Sequence, residues 1–256
     1  MGSKRWRGKS CAYCGQPATS SDHVLSREFF PLSQRHGLPL VPACSACNNR
    51  KSFLENEMAA SYLANSRIEG AQEYRAQHVK PRLDANARLR ASMGMHREPV
   101  VLRVNGILRP MHVLTVSHDH LTELQKWVAR GLYSYHFGDN VPLAFDVMVR
   151  MYAPDEEAAM LPGVSRVFAD PSLHVRADLG PGTFFYEGAR SPHVDGVSVW
   201  LFTWHGGIPL HGEGTPPQGI SRIWVMTWPD DERLQELLVE ERLKQQALDS
   251  ATRDGI

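Results

Sequence analysis

Four cysteines fall in two pairs near the start of the chain, Cys11-Ala-Tyr-Cys14 and Cys44-Ser-Ala-Cys47, with 29 residues between the pairs. Each C-x-x-C puts two sulfurs on one tight turn, and two such turns close a tetrahedron of thiolates around zinc. Disulfide bonding is the rival reading. Nothing in the chain implies an oxidising compartment, however, and bonds within C-x-x-C are usually redox-active rather than structural. Four thiolates leave no coordination position open, so such a zinc is scaffold and not catalyst. A segment this short buries too little apolar surface to stand alone, whereas a structural zinc supplies on the order of 10 kcal/mol.

Between the pairs lies "SSDHVLSREFFPLSQRHGLPLVPA", and the second pair runs straight into "NNRKS". C-x-x-C, then Asp-His opening "DHVLSREFFP", then "LVPACSACNNRKS" resembles the HNH, or ββα-metal, nuclease motif in its zinc-stapled four-Cys form, over roughly residues 11 to 60. The resemblance implies a metal-dependent endonuclease that hydrolyses phosphodiester bonds in DNA, in preference to RNA. It makes His23 the general base that activates water, and Asp22 and Asn48 the holders of a catalytic divalent ion, Mg²⁺ or a similar cation. The chemistry wants these residue types. A neutral imidazole takes a proton from water near pH 7, and a hard cation takes oxygen ligands from a carboxylate and an amide. Arg50 and Lys51, just beyond, are candidate nucleic-acid contacts through neighbouring phosphates.

Plainer roles exist for the same side chains. Asn48 or Asn49 serves equally as a helix cap, and Asp22 as the start of a turn. One departure from the family stands out. The position five residues before the second pair, where the family carries a bracing Asn or His, is Pro39, which has neither a side-chain donor nor an N–H. His36 is the nearest candidate for a replacement brace.

The elements that must position these groups follow in order. "DHVL" and "LPLVPA" are strand-like, and from Asn48 onward "NNRKSFLENEMAASYLANSRI" reads as helix. Phe53, Leu54, Met58, Tyr62 and Leu63 recur at helical spacing, with Glu55, Glu57 and Asn65 on its outer surface. Adjacent strand residues point to opposite faces, so Asp22 and His23 serve one phosphate only at a strand end or bulge.

The remainder is larger. The fold class expected is α+β, with the zinc-bound HNH module over residues 1–66, a basic helical connector over 67–97 and a mixed α+β domain over 98–256. In that last part "VVLRV", "MHVLTV", "AFDVMVRMY", "VSVWLFTW" and "RIWVMTW" are strand-like, and "HLTELQKWVARGLYSYHF" and "DDERLQELLVEERLKQQALDS" helix-like. "WHGGIPLHGEG", with His205, His211 and Glu213, reads as a turn between strands, and His118 and His120 as a helix start. The net charge of zero hides an asymmetry: residues 1–97 carry +8 and residues 98–256 carry −8. A basic front suits a polyanionic partner, which the acidic remainder should repel; residues 98–256 are a candidate surface for a protein partner or a ligand. No apolar run reaches the roughly 20 residues of a membrane span, so a soluble, cytoplasmic protein is expected, with nucleic-acid defence as a role by analogy. The alternative function is a non-catalytic zinc module that binds nucleic acid or a protein partner.

Overall fold

The computed structural model describes residues 6, 8–64, 71–74, 76–77, 80–93, 100–104, 107–111, 117–151, 170–206, 208–210 and 218–230. The chain is mixed helix and sheet. Strand β1 (Ser20–His23) pairs antiparallel with β2 (Leu40–Ala43), and α1 (Ser45–Ala64) follows at once. Two 3₁₀ turns, Arg27–Phe29 and Leu32–Gln34, fill the crossing between the strands. Short helices α2 (Ala71–Tyr74), α3 (Lys80–Ala85) and α4 (Ala87–Ser92) lead to the hairpin β3 (Val100–Val104) and β4 (Ile107–Met111). Long helix α5 (His118–Phe137) then precedes β5 (Asp146–Met151), β6 (His174–Leu179), β7 (Phe184–Arg190), β8 (Ser198–Trp204), β9 (Ile208–Leu210), β10 (Gln218–Ser221) and β11 (Ile223–Trp228).

Five of these strands make one antiparallel sheet in the order β5-β11-β8-β7-β6, while β9 and β10 pair separately. Strand β8 is buried along nearly its whole length, so both its faces are covered. Side chains alternate along it. Trp200, Phe202 and Trp204 turn toward α5 and α1, and Val199 and Leu201 meet Trp224 on the other face. Gly188 on β7 lies flat under the Trp200 ring; a Cβ there would come within 2.1 Å of it.

Helix α5 is well delimited. The Ser117 hydroxyl accepts from the His120 N–H at its start, and Gly138 ends it in a left-handed conformation, φ 74°. Its buried stripe, Leu124, Val128, Ala129 and Leu132, joins Val24, Leu25, Phe29, Met58 and Tyr62 in the same cluster as Phe184, Trp200 and Trp204. The largest cluster therefore continues across the boundary expected after residue 66: the four-cysteine segment and the five-stranded sheet share it through α5. Gly131 permits the approach. A Cβ there would stand 2.9 Å from Val24 Cγ1 and 3.2 Å from the Tyr13 hydroxyl.

Several expectations shift. The first strand covers residues 20–23 rather than 22–25, and α1 begins at Ser45, three residues before Asn48. Glu55 and Glu57, expected on the helix surface, are buried, and Phe53, expected inside, is 55% exposed. Enclosure of α1 between the β1–β2 hairpin and α5 is the cause, since it buries far more of the helix than one apolar stripe. Strands β4, β6, β7, β9 and β10 fall in stretches that the sequence does not mark as strand, and β9 lies inside the run read as a turn. Residues 112–116 of "MHVLTV", the helix-like run after residue 230, and His211 and Glu213 lie outside the described residues.

Candidate metal centre and the Asp-His strand end

The first cysteine pair sits on a turn. Cys11 N–H donates to the Gln16 carbonyl at 2.7 Å, Gly15 N–H donates to the Cys11 carbonyl at 2.9 Å, and Gly15 takes a positive φ of 69°. The second pair opens α1. The Asn48 N–H donates to the Cys44 carbonyl at 3.0 Å, and the Cys47 N–H donates to Cys44 Sγ at 3.4 Å, so the sulfur occupies the role of an N-cap. The capping reading of Asn48 and Asn49 is thereby replaced, because both lie inside the helix.

The four sulfurs lie within 4.8 Å of one another and form no disulfide. Cys14 Sγ and Cys44 Sγ are 3.7 Å apart, which matches the edge of about 3.8 Å that a tetrahedron with Zn–S bonds of about 2.3 Å requires. Burial and the neighbouring thiols hold the Cys14 and Cys47 thiols above their usual value. Burial also opposes ionisation of Cys44, but the Cys47 amide and the other thiols outweigh it and pull that thiol down. Four thiols this close cannot all ionise without a cation between them, and a divalent metal such as zinc is the group that the donor set fits.

Strand β1 carries the Asp-His pair to the edge of this frame. Its register against β2 is unbroken, with Asp22 opposite Val41 and His23 opposite Leu40, so there is no bulge. The pair therefore points to opposite faces, and His23 is the last residue of the strand. Asp22 points inward, 6% exposed. Its Oδ2 accepts from the Tyr13 hydroxyl at 2.6 Å and from Lys51 Nζ at 2.9 Å. His23 is half-buried, and its Nδ1 is enclosed without a hydrogen-bond partner. Burial, aided by the Arg27 and Lys51 charges and opposed by Asp22, holds its imidazole below the usual value, which favours the neutral ring.

Lys51 corrects an expectation. It was to face phosphates, yet it is fully buried. Its ammonium reaches Glu55 Oε1 at 2.5 Å, the His23 carbonyl at 2.7 Å and Asp22 Oδ2 at 2.9 Å. The acids keep Lys51 charged against the cost of burial. Burial pushes Glu55 up to about 7, since one ammonium is shared by two carboxylates. Tyr13 and Glu55 were not singled out from the sequence. The i,i+4 spacing of Lys51 and Glu55 was the available signal for one, and no local signal marks the other.

Asn48 shares the helix stripe of Lys51 and Glu55, three residues ahead of Lys51, on the side that faces β1. It is half-buried, and its side chain makes no hydrogen bond among the described residues. Arg50 does reach the surface, with its side chain 70% exposed. It leans on α5, 3.2 Å from Glu123 and 6.0 Å over the Trp127 ring. His36 is exposed. Pro39 is buried and offers its carbonyl to the Val24 N–H at 2.9 Å. His118 is exposed at the start of α5. His120 Nδ1 lies 2.6 Å from the buried Glu57 carboxylate, a tie between α5 and α1.

No protein-family model, curated protein or solved structure matches the chain. Among the described residues no helix is long and apolar enough to cross a membrane.

Proposed function

We propose that the chain is a metal-dependent endonuclease acting on DNA, with His23 as its general base. The observation that carries this reading is the orphaned Nδ1 of His23, at a strand end beside a four-thiol frame and under the first turn of α1. A buried ring nitrogen without a partner is a place for a water to bind. The neutral ring can accept a proton there, which contributes about 10²- to 10⁴-fold in rate.

Asp22 and Asn48 are the oxygen donors for the divalent ion. Both polar contacts on Asp22 fall on Oδ2, so Oδ1 is the oxygen it would offer. The Lys51 ammonium beside it lowers the local negative charge and weakens the hold on a cation. When bound, the ion supplies charge stabilisation for the phosphate and the departing oxygen. The Asn48 amide lies in the first turn of α1, next to the four-thiol frame that caps it. Arg50, exposed and leaning on α5 beside Glu123 and Trp127, is the candidate phosphate contact. Four reduced thiols suit a reducing compartment, in line with a cytoplasmic protein.

The test is His23→Ala in zinc-loaded protein, with plasmid and single-stranded DNA and with Mg²⁺, Mn²⁺ or Ni²⁺. The variant should keep its zinc and its fold and lose divalent-dependent cleavage by at least about 100-fold. Retained cleavage refutes the assignment. The specific observation favouring a second reading, a zinc module that binds without cutting, is that the Asp22 carboxylate is already tied to Tyr13 and Lys51. In that case the wild type binds DNA and cuts with none of the three ions.

A further inference from the structure

Pro39 has neither a side-chain donor nor an N–H, and His36, near it in sequence, is exposed. The Val24 N–H to Pro39 carbonyl bond ties the strand ends together through the backbone, one residue beyond His23. Something else must fix His23 itself.

We propose that Lys51 is the positioning residue for His23, bracing the end of β1 from α1. An ammonium has three N–H donors, and three acceptors surround this one: the His23 carbonyl at 2.7 Å, Asp22 Oδ2 at 2.9 Å and Glu55 Oε1 at 2.5 Å. Two of those acceptors belong to the last two residues of β1 and the third to α1, so a single group cross-links strand and helix. Tyr13 adds a fourth member by donating to Asp22 at 2.6 Å, which anchors the brace to the first cysteine turn. Lys51 has no exposure at all, which rules it out as a phosphate contact. A buried charge is tolerated only where every donor is used, as here. The catalytic consequence rests on the nuclease reading. The brace itself is a property of the fold and is testable without cleavage.

The experiment uses full-length, zinc-loaded protein and Lys51→Met, which keeps the length of the side chain and removes its donors. With plasmid DNA and Mg²⁺ or Mn²⁺, kcat should fall on the order of 100-fold, with zinc content, KM for DNA and its salt dependence unchanged. In ¹H–¹⁵N spectra recorded without DNA or added divalent ion, the single His23 ring signal of the wild type should broaden or split. Wild-type kcat with a single His23 signal overturns the proposal, and so does a loss confined to KM with a reduced salt slope. Should the wild type fail to cut, the nuclease reading falls and the ring spectra alone decide the brace. Should Lys51→Met fail to fold, the wild-type Lys51 ammonium decides it. Slowly exchanging protons with cross-peaks to His23 support the brace, and exchange at the rate of a solvated lysine overturns it.

Discussion

Two buried side chains titrate with opposite effects on stability. Burial holds His205, fully enclosed after β8, down at about 4. Between its ordinary 6.5 and 4 the unfolded chain takes up a proton that the folded chain refuses. This contribution is complete above pH 6.5 and is lost as the pH falls through that window, about 3 kcal/mol in all. Glu55 is the reverse case. Its folded value of about 7 lies above the unfolded 4.5, so its contribution is complete below pH 4.5 and is lost as the pH rises through 7. In urea unfolding between pH 4 and 8, His205→Gln should flatten the acid-side loss and Glu55→Gln the loss toward neutrality. A pH profile unchanged in both variants would contradict the assignments. The same residues show what a sequence reveals at this scale. Two C-x-x-C pairs are legible because their geometry is set within each turn. The inward turn of Lys51 is not, because it depends on β1 and α5 closing over α1.

Helices and strands were read more easily than their faces. The runs 100–104, 144–152, 197–204 and 222–228 coincide with β3, β5, β8 and β11, and the run 120–137 with α5. Strand β7 was hidden because Glu187 and Gly188 interrupt its aromatic pattern, and Gly188 is small to admit Trp200. Gly131 is a similar case inside α5, where glycine costs about 1 kcal/mol relative to alanine. Its use is contact: Val24 Cγ1 stands 2.9 Å from where a Cβ would be, on a β-branched side chain with little room to turn. Gly131→Ala should therefore destabilise the protein by about 1–2 kcal/mol despite the gain in propensity, since overpacking outweighs it. Thermal unfolding measures this, and a raised Tm would mean that α5 does not press on Val24 and Tyr13.

At the scale of the whole molecule, the largest hydrophobic cluster among the described residues joins the cysteine-bearing segment to the five-stranded sheet, with two smaller clusters beside it. Charge asymmetry and a change of texture near residue 98 pointed to separate parts, and neither signal reports which apolar faces meet. Tyr62 on α1, Gln125 on α5 and Trp204 on β8 make the connection concrete. The buried Gln125 amide donates to the Tyr62 hydroxyl at 2.9 Å and accepts from the Trp204 indole at 3.1 Å. Stripping zinc with a chelator should therefore lower the melting point of the five-stranded sheet as well as of the cysteine frame. Far-UV circular dichroism and tryptophan fluorescence, in which four of the six tryptophans (Trp200, Trp204, Trp224 and Trp228) report from the sheet, should trace one coincident transition. Two separated transitions would mean that the sheet folds independently.

The close seat of Gly131 on Val24 and Tyr13 also bears on portability. An excised stretch ending near residue 64 would carry its four sulfurs intact, yet it would leave Val24, Phe29 and Tyr62 without the α5 and β8 groups they pack against. Such a fragment is a poor cassette for fusion or transplantation, and a graft that works must bring residues 117–138 along with it.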